Sequence, residues 1–316
     1  MSTVYTVVTG AAGFIGSRLT QELISRGRNV IAIDCFLPDL YDNQIKINRW
    51  NSLISSSTGE LVKLEFDLRT DDFRKLSDYA IESIFNQAAM PGLQSDWAKF
   101  APYYDCNLSA LNRLLEFCRN LELNSFVQAS TSSVYGRLAI GDELQQLNPD
   151  SPYGVSKLAA EKLLLAYHRT NGTPVKILRY FSVYGPFQRP DMAYSKIIRS
   201  LIENSDFVLH GDGEQKRSNT YIDDIVEATI LADQFAPLGS TMNICGDESI
   251  TLNQAILLLE EFSGKKLRRV KGMRRAGDQQ ETSGLNSIAK TLLGWNPKIG
   301  IKEGLRNQFL AEVDPK

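Results

Sequence analysis

Tyr153 and Lys157 are the residues of this chain best suited to proton transfer. They stand four positions apart in a segment, 152–171, whose pattern predicts a helix that starts after Ser151 and Pro152. Four-residue spacing places both side chains on one face of a helix. An ammonium group beside a phenol lowers the pKa of the phenol, and a phenolate can then act as a general base near neutral pH. We therefore predict that Tyr153 and Lys157 are catalytic.

A run of hydroxyl residues precedes this pair. Ser130, Thr131, Ser132 and Ser133 directly follow an apolar segment, 125–129, that is typical of a buried strand. Serine and threonine are common in simple polar turns, but four hydroxyls beside a candidate base favour a site for the hydroxyl groups of a substrate.

The N-terminal segment has the residues of a phosphate-binding turn. An apolar strand, 4–9, leads into Gly10, Gly13 and Gly16, and a helical pattern with Phe14 and Ile15 follows. Glycines let the backbone approach a pyrophosphate, and the start of the helix offers it unpaired N–H groups. A second strand, 29–34, ends at Asp34, whose carboxylate suits the ribose hydroxyls of NAD and repels the 2′-phosphate of NADP. The combination predicts NAD as the cofactor.

These residues need a scaffold that brings them to one edge. Strand-like and helix-like segments alternate through the first 180 residues, with further strands at 61–66, 83–85 and 175–180. Such alternation predicts an α/β fold, a doubly wound parallel sheet of Rossmann type covered by helices on both faces. Ligands of these sheets lie beyond the carboxyl ends of the strands. That rule selects Gly10, Asp34, Asp67, Ala88, residues 130–133 and residues 180–189.

The regular alternation fades after residue 185. Short strands at 207–210, 219–222 and 242–245 and helices at 191–204, 223–235 and 251–262 follow. We predict a smaller C-terminal α/β lobe that binds the substrate. In this division residues 1–181, with about 216–240, form the NAD-binding domain, and residues 182–215 and 241–316 form the lobe.

Composition excludes several classes of protein. The net charge is −2, and the basic run at 265–271 is short, which argues against a nucleic-acid partner. No apolar stretch is long enough for a membrane span. The four cysteines, Cys35, Cys106, Cys118 and Cys245, have no paired spacing, so we expect no metal site, no disulfide framework and a cytoplasmic location.

Segments along nearly the whole chain resemble the extended short-chain dehydrogenase/reductase family, and within it the nucleotide-sugar epimerases. The matching segments are 9–16 (TGAAGFIG), 67–68 (DL), 129–136 (ASTSSVYG), 151–157 (SPYGVSK), 178–186 (LRYFSVYGP), 211–217 (GDGEQKR), 221–224 (YIDD) and 275–278 (RAGD).

The resemblance implies a tightly held NAD and roles for individual residues. Tyr153 is the implied base, Thr131 its hydroxyl partner, and Lys157 a ligand of the nicotinamide ribose. In the cofactor site, Asp67 and Leu68 flank the adenine and Tyr180 lies against the nicotinamide. In the substrate site, Arg217 and Arg275 hold the diphosphate and Asp278 the nucleoside ribose.

Two residues, Ser132 and Ser133, narrow the choice of reaction. In the family's dehydratases, the segment that resembles 129–136 carries Asp and Glu where this chain has Ser132 and Ser133. A hydroxyl cannot replace a carboxyl group as acid or base, so elimination of water is disfavoured. The nucleotide-uronate decarboxylases of this family carry Glu at the position that resembles Ser133, so decarboxylation is disfavoured as well. What remains is epimerisation at carbon four of the sugar, with NAD regenerated.

The segment with Ser182 and Arg189 resembles the UDP-glucuronate 4-epimerases. A guanidinium group with nearby hydroxyls, here those of Ser132, Ser133 and Ser182, is a good clamp for a carboxylate. We therefore expect conversion of UDP-glucuronate to UDP-galacturonate.

Other functions stay open at this point. A neutral UDP-glucose or UDP-N-acetylhexosamine epimerase is favoured by Gln94, which stands where uronate epimerases tend to carry arginine. A dehydratase, a reductase that releases its cofactor, and a non-catalytic NAD-binding module are less favoured alternatives. The family resemblance also implies a homodimer through segments 108–120 and 152–171.

Overall fold

The computed structural model describes residues 3–38, 41–92, 97–273 and 279–314. Its strands follow the apolar segments that the sequence singled out. Within the described residues the strands are β1 Val4–Thr9, β2 Asn29–Asp34, β3 Leu61–Glu65, β4 Ala80–Asn86, β5 Ser125–Thr131, β6 Leu138–Gly141, β7 Val175–Tyr180, β8 Val183–Tyr184, β9 Asp206–His210, β10 Lys216–Ser218, β11 Thr220–Tyr221, β12 Ser240–Ile244, β13 Ser249–Thr251, β14 Arg268–Gly272 and β15 Glu281–Gly284.

Seven of these strands form the central sheet. Their order is β12-β7-β5-β4-β1-β2-β3, and every neighbouring pair is parallel. The strand order changes direction between β1 and β4, and an open parallel sheet binds its ligand at such a switch point. The predicted doubly wound α/β fold is confirmed.

Helices cover both faces of this sheet. In the same described ranges the α-helices are α1 Phe14–Ser25, α2 Asn43–Ser52, α3 Ala101–Tyr104, α4 Ala110–Cys118, α5 Pro152–Asn171, α6 Ala193–Glu203, α7 Ile222–Phe235, α8 Leu252–Ser263, α9 Ser287–Leu293 and α10 Ile301–Val313, with short 3₁₀ turns at Phe73–Leu76, Trp97–Lys99 and Ser132–Tyr135 and a π turn at Asp105–Ser109.

Two hydrophobic cores result, one on each face of the sheet. Val7 and Val8 are both fully buried, but they belong to different cores because successive side chains of a strand point to opposite faces. Val8 packs in the core that contains Leu19 of α1, and Val7 packs in the core that contains Leu114 of α4. Burial on both faces explains why these strands read as continuous apolar runs.

The C-terminal part adds smaller sheets beside the central one. Strands β13, β10, β15 and β6 form a four-stranded sheet, β14 pairs with β9, and β11 pairs with β8. The basic run at 265–271 overlaps β14, whose residues are largely exposed.

One strand departs from the predicted division of the chain. β12, Ser240–Ile244, lies almost entirely in the segment assigned to the C-terminal lobe, yet it pairs with β7 and forms the edge of the central sheet. In the opposite sense β6, from the predicted cofactor domain, joins the smaller sheet. Both exchanges join the two parts of the chain through backbone hydrogen bonds.

No helix among the described residues is long and apolar enough to cross a membrane. Those residues also contain no group of three or more histidine, cysteine or acidic side chains placed to hold a metal ion.

Candidate functional site

A cleft of about 1170 Å³ lies along the carboxyl ends of the central strands. Every site residue predicted from the sequence and described by the structure lines it: Gly10, Gly13, Phe14, Ile15, Gly16, Asp34, Asp67, Leu68, Ala88, Thr131, Ser132, Ser133, Tyr153, Lys157, Tyr180, Ser182, Arg189 and Arg217. Arg275 and Asp278 lie outside the described residues, as does Gln94. The predicted residues thus share one cleft, and their individual roles remain predictions.

The glycine-rich turn comes closer to its own backbone than any larger residue allows. A Cβ atom at Gly16 would lie 2.1 Å from the carbonyl oxygen of Gly10. Helix α1 starts directly after this turn, and its N-cap residue Gly13 provides no side-chain hydrogen bond. The first N–H groups of the helix therefore face the cleft, where they suit a phosphate group.

Two acidic residues mark the adjoining end of the cleft. The carboxylate of Asp34 accepts hydrogen bonds of 2.9 Å from the backbone N–H groups of Ala12 and Phe36, which fix it at the end of β2. Asp67 follows β3 and forms a two-point ion pair with Arg69. Hydrogen bonding to Arg69 lowers the pKa of Asp67 below its usual value. Both carboxylates are thus held in place before any ligand binds.

A basic cluster beside Asp34 was missed by the sequence analysis. Lys46 of α2 donates to the carbonyl of Leu37 at 2.6 Å, and Arg49 donates to the Tyr41 hydroxyl at 3.2 Å. Arg49 also bonds the carbonyl of Phe187, far along the chain. Lys46 and Arg49 are three positions apart on one helix, but nothing in the local pattern identifies their partners.

Tyr153 and Lys157 lie on the first two turns of α5. The hydroxyl of Ser151 caps this helix by accepting from the N–H of Gly154 at 3.1 Å. Lys157 is only 3% exposed, and its ammonium donates to the carbonyl of Ala129 at 2.6 Å. Burial lowers the pKa of Lys157 to about 8, and the nearby carboxylate of Glu161 opposes this shift.

The pKa of Tyr153 differs from the sequence expectation. Burial raises it above the usual value, and the neighbouring Thr131 hydroxyl and Arg189 guanidinium offset this only in part. The ammonium of Lys157, from which a lowering is expected, donates to the carbonyl of Ala129. In the protein alone Tyr153 is therefore a neutral phenol at neutral pH.

The hydroxyl residues form a tight turn after β5. Thr131 accepts from the N–H of Ser133 at 3.1 Å and donates to its hydroxyl at 3.2 Å. The Ser132 hydroxyl donates to the side chain of Gln279 at 3.3 Å. Ser130 also lines the cleft, but its hydroxyl donates to the buried carboxylate of Glu161.

That core carboxylate belongs to a buried network below α5. Glu161 forms a two-point ion pair with Arg179 of β7, with N–O distances of 3.0 and 2.8 Å. Arg179 also donates to the hydroxyl of Tyr135 at 2.8 Å. The network joins α5, β5 and β7 beneath Lys157. Only the i, i+4 spacing of Lys157 and Glu161 hints at it in the sequence.

Tyr180 ends β7 at the centre of the cleft. Its hydroxyl receives a bond from Gln87 at 3.2 Å and shares one of 2.7 Å with Thr229. Burial raises the pKa of Tyr180 to about 12, so this phenol stays neutral. It therefore offers the cleft a fixed aromatic surface.

Arg189 lies close to Tyr153 and is paired with an internal carboxylate. Its Nε and one Nη donate to the two oxygens of Asp191 at 3.0 and 2.6 Å. This ion pair raises the pKa of Arg189 despite its burial. Arg189 is thus held in one orientation, with two of its five N–H donors already used.

Arg217 occupies the far end of the cleft on β10. One Nη donates to the carbonyl of Lys216 at 2.9 Å, and the other donates to the carbonyl of Gln279 at 2.5 Å. Tyr194 and Asn219, which bond each other at 2.9 Å, line the same end. A cation beside turns and hydroxyls suits an anionic ligand such as a diphosphate.

The sheet order, the glycine turn and the fixed Asp34 carboxylate define a dinucleotide-binding protein of Rossmann type. The profile of the NAD dependent epimerase/dehydratase family matches residues 6–245. This chain therefore belongs to that family, which confirms the resemblance and the NAD dependence inferred from the sequence.

Two kinds of epimerase are among the similar proteins. The chain is 40% identical over 308 residues to an uncharacterized UDP-glucose epimerase, YtcB, of Bacillus subtilis, covering 96% of both chains. It is 36% identical over 310 residues to a UDP-glucuronate 4-epimerase of Thermodesulfobacterium geofontis, covering 96% of this chain and 94% of the relative. The crystal structure of a UDP-glucuronic acid 4-epimerase from Bacillus cereus, in complex with UDP-glucuronic acid and NAD, is also similar. Its TM-score is 0.91 at 36% identity, with 96% of this chain and 98% of that chain covered.

Proposed function

We propose that this protein is an NAD-dependent UDP-sugar 4-epimerase that converts UDP-glucuronate to UDP-galacturonate. The observation that carries the proposal is that a single cleft joins a dinucleotide cradle, a Tyr-Lys pair and a guanidinium group. The likeness to the Bacillus cereus enzyme in complex with UDP-glucuronic acid and NAD supports the choice of sugar.

The residues of the cradle fit NAD. The turn at Gly16 leaves no room for a Cβ atom, and the carboxylate of Asp34 is fixed where a ribose diol would be bound. We assign the pyrophosphate to Gly10, Gly13 and the start of α1. The adenine lies against Leu68, and Asp67 flanks it.

Tyr153 performs the proton transfer in this proposal. Its phenolate form receives the proton of the 4-hydroxyl group, assisted by Thr131, and becomes the neutral phenol. Bound NAD supplies the hydride chemistry at carbon four. Lys157 holds the ribose near Tyr153, and its charge stabilises the phenolate during the reaction. Because burial raises the pKa of Tyr153, the phenol is also ready to return the proton when the sugar is reduced.

The intermediate must turn over inside the cleft. Once carbon four is a ketone, the sugar rotates and presents its opposite face, while Arg217 and Arg275 hold the diphosphate. Both hydroxyls of the turn, Ser132 and Ser133, lack the carboxyl chemistry that elimination of water requires. The rotated ketone is therefore reduced, and the epimer leaves.

A 4-keto-uronate also needs protection from loss of carbon dioxide. It is a β-keto acid, and the bond to its carboxylate breaks when that bond aligns with the π system of the carbonyl. We assign the carboxylate to Arg189, with the hydroxyl residues Ser132, Ser133 and Ser182 beside it. The ion pair with Asp191 keeps Arg189 in one orientation, which suits a clamp that must restrict rotation.

Arg189→Ala is expected to weaken the binding of UDP-glucuronate more than that of UDP-glucose, because only the uronate loses a charged partner. The KM values for UDP-glucuronate and UDP-glucose provide the comparison. An equal rise in both would contradict the assignment of Arg189 as a carboxylate clamp.

A neutral-sugar 4-epimerase is the second candidate. The observation in its favour is the Arg189–Asp191 pair, which already neutralises the guanidinium charge without a substrate carboxylate. The relative from Bacillus subtilis, named as a UDP-glucose epimerase, points the same way.

The test is to incubate purified protein, without added NAD, separately with UDP-glucuronate, UDP-glucose and UDP-N-acetylglucosamine, and to follow each by proton NMR. Formation of UDP-galacturonate from UDP-glucuronate alone supports the proposal. Conversion of a neutral sugar alone keeps the reaction type and favours the second candidate. Absence of product with all three would refute the proposal.

A homodimer in the cytoplasm completes the proposal. Helices α4 and α5 are joined by the 2.9 Å bond from the Tyr167 hydroxyl to Asn112, and we assign the contact with a second copy to these two helices. Light scattering of the purified protein would give twice the mass of one chain, and a monomer mass would contradict this part.

A further inference from the structure

We infer that Gln279 is a positioning residue that links the diphosphate end of the cleft to the hydroxyl turn and keeps the sugar in register for hydride transfer. This inference rests on the proposed function. Gln279 follows the segment that carries Arg275 and Asp278, and it lines the cleft itself. Glutamine neither titrates nor acts as a nucleophile, so the sequence alone does not suggest a role for Gln279.

The side chain of Gln279 is fully engaged with the hydroxyl turn. Its Nε2 donates to the carbonyl of Ser132 at 3.1 Å and to the carbonyl of Gly136 at 2.9 Å. Its Oε1 accepts from the Ser132 hydroxyl at 3.3 Å. The amide therefore holds both ends of the turn and sets the direction in which the Ser132 hydroxyl points.

The backbone of Gln279 is engaged with the other end of the cleft. Its carbonyl accepts from Arg217 at 2.5 Å. The next residue, Gln280, donates its backbone N–H to the carbonyl of Arg137 at 2.8 Å, and β15 begins directly afterwards beside β6. Gln279 thus lies directly before a paired strand, two positions from the start of β15.

The hydroxyl turn, residues 131–136, packs against the start of α5, the helix that carries Tyr153. A Cβ atom at Gly154 would lie 2.6 Å from the carbonyl oxygen of Ser133, so the turn and the first turn of α5 are in close contact. A continuous set of contacts therefore runs from Arg217 through Gln279 and the turn to the neighbour of Tyr153. Arg217 is assigned to the diphosphate and Tyr153 to the sugar, and Gln279 is the described residue that bonds both sides.

This link has a consequence for the intermediate. The keto sugar must rotate about the fixed diphosphate, so the distance from Arg217 to Thr131 and Tyr153 decides whether carbon four returns to the reacting position. A misplacement of about 1 Å in such a site costs on the order of 100-fold in rate. We expect loss of the Gln279 bonds to slow the reaction without lowering the affinity for the nucleotide.

A second effect follows from the electron balance. Oxidation moves the hydroxyl proton to Tyr153 and the hydride of carbon four to NAD. If the keto sugar leaves before it is reduced, one reduced cofactor remains for each sugar lost. A loosened turn should therefore let reduced nicotinamide accumulate during turnover.

The experiment compares Gln279→Met and Gln279→Ala with Gln280→Ala, whose side chain is exposed and lies next in the chain. We expect kcat to fall by about 10- to 100-fold in both Gln279 variants and to stay at the wild-type value in Gln280→Ala. UDP affinity, measured by calorimetry, should be the same in all. The Gln279 variants should also show a growing absorbance of reduced nicotinamide with substrate present.

Several outcomes would overturn the inference. Wild-type kcat in Gln279→Met would do so, and so would a fall in kcat that is matched by an equal loss of UDP affinity without reduced nicotinamide. Gln279→Met keeps the volume of the side chain, so it serves as the test if Gln279→Ala does not fold. A wild-type protein inactive on every UDP-sugar refutes the proposed function as well, whereas an active wild type beside an unaffected Gln279→Met refutes this inference alone.

Discussion

At the scale of single residues, the chemistry depends on how Tyr153 gains and returns a proton. Burial raises its pKa, and the Thr131 hydroxyl and Arg189 guanidinium act against that rise. The phenol is therefore protonated in the resting protein, and its environment in the cleft must favour the phenolate only during oxidation. Such a residue should dominate the rate while contributing little to nucleotide binding.

Replacement of the phenol tests this directly. Tyr153→Phe is expected to lower kcat by about 10²- to 10⁴-fold, the usual range for loss of a general base. UDP affinity should not change, because the diphosphate site lies at the other end of the cleft. Steady-state kinetics and calorimetry measure the two quantities, and wild-type turnover in this variant would contradict the assignment.

Lys157 provides a prediction about pH. Its pKa in the folded protein, about 8, is below the ordinary value of 10.5 because the residue is buried. Between these values the unfolded chain binds more protons than the folded one, so this residue makes the free energy of unfolding rise with pH. The slope is at most about 1.4 kcal/mol per pH unit.

The matched variant is Lys157→Met, which cannot titrate. Urea unfolding of both proteins between pH 8 and 10.5 should show a stability difference that shifts in favour of the wild type as the pH rises. A difference that is independent of pH would contradict the lowered pKa.

At the scale of elements, the cofactor site depends on the close approach of β1, the glycine turn and α1. Gly16→Ala places a Cβ atom 2.1 Å from the Gly10 carbonyl, so the turn must shift and the cradle must open. We expect the variant to be purified with much less bound NAD than the wild type. Ser17→Ala, one residue further along α1, is the control and should retain the cofactor, and equal retention in both would contradict the cradle.

The elements themselves were largely predictable, since burial on both faces leaves a clear pattern. Continuous apolar runs such as that of β2 and helical spacing such as that of α5 depend only on nearby residues, and the structure confirms them. Partners distant in the chain were not predictable. Arg49 bonds the carbonyl of Phe187, and Gln279 bonds Ser132, across separations that no local pattern records.

At the scale of the whole molecule, the two parts of the chain are more closely joined than their sequence suggests. Strand β12 was placed in the C-terminal lobe because the regular alternation had already ended, yet it closes the edge of the central sheet beside β7. Strand β6 crosses in the other direction to pair with β15. Residues of both predicted parts line the cleft, which suits a site that must hold an intermediate through a rotation.

The central claim is that the keto intermediate stays in the cleft, because epimerisation requires the same hydride to leave carbon four and return to it. The most direct measurement uses UDP-glucuronate that carries deuterium at carbon four, incubated in ordinary water without added NAD. Mass spectrometry and NMR of the product report the label. We expect UDP-galacturonate that retains deuterium at carbon four. A product with hydrogen from water at that carbon would contradict it.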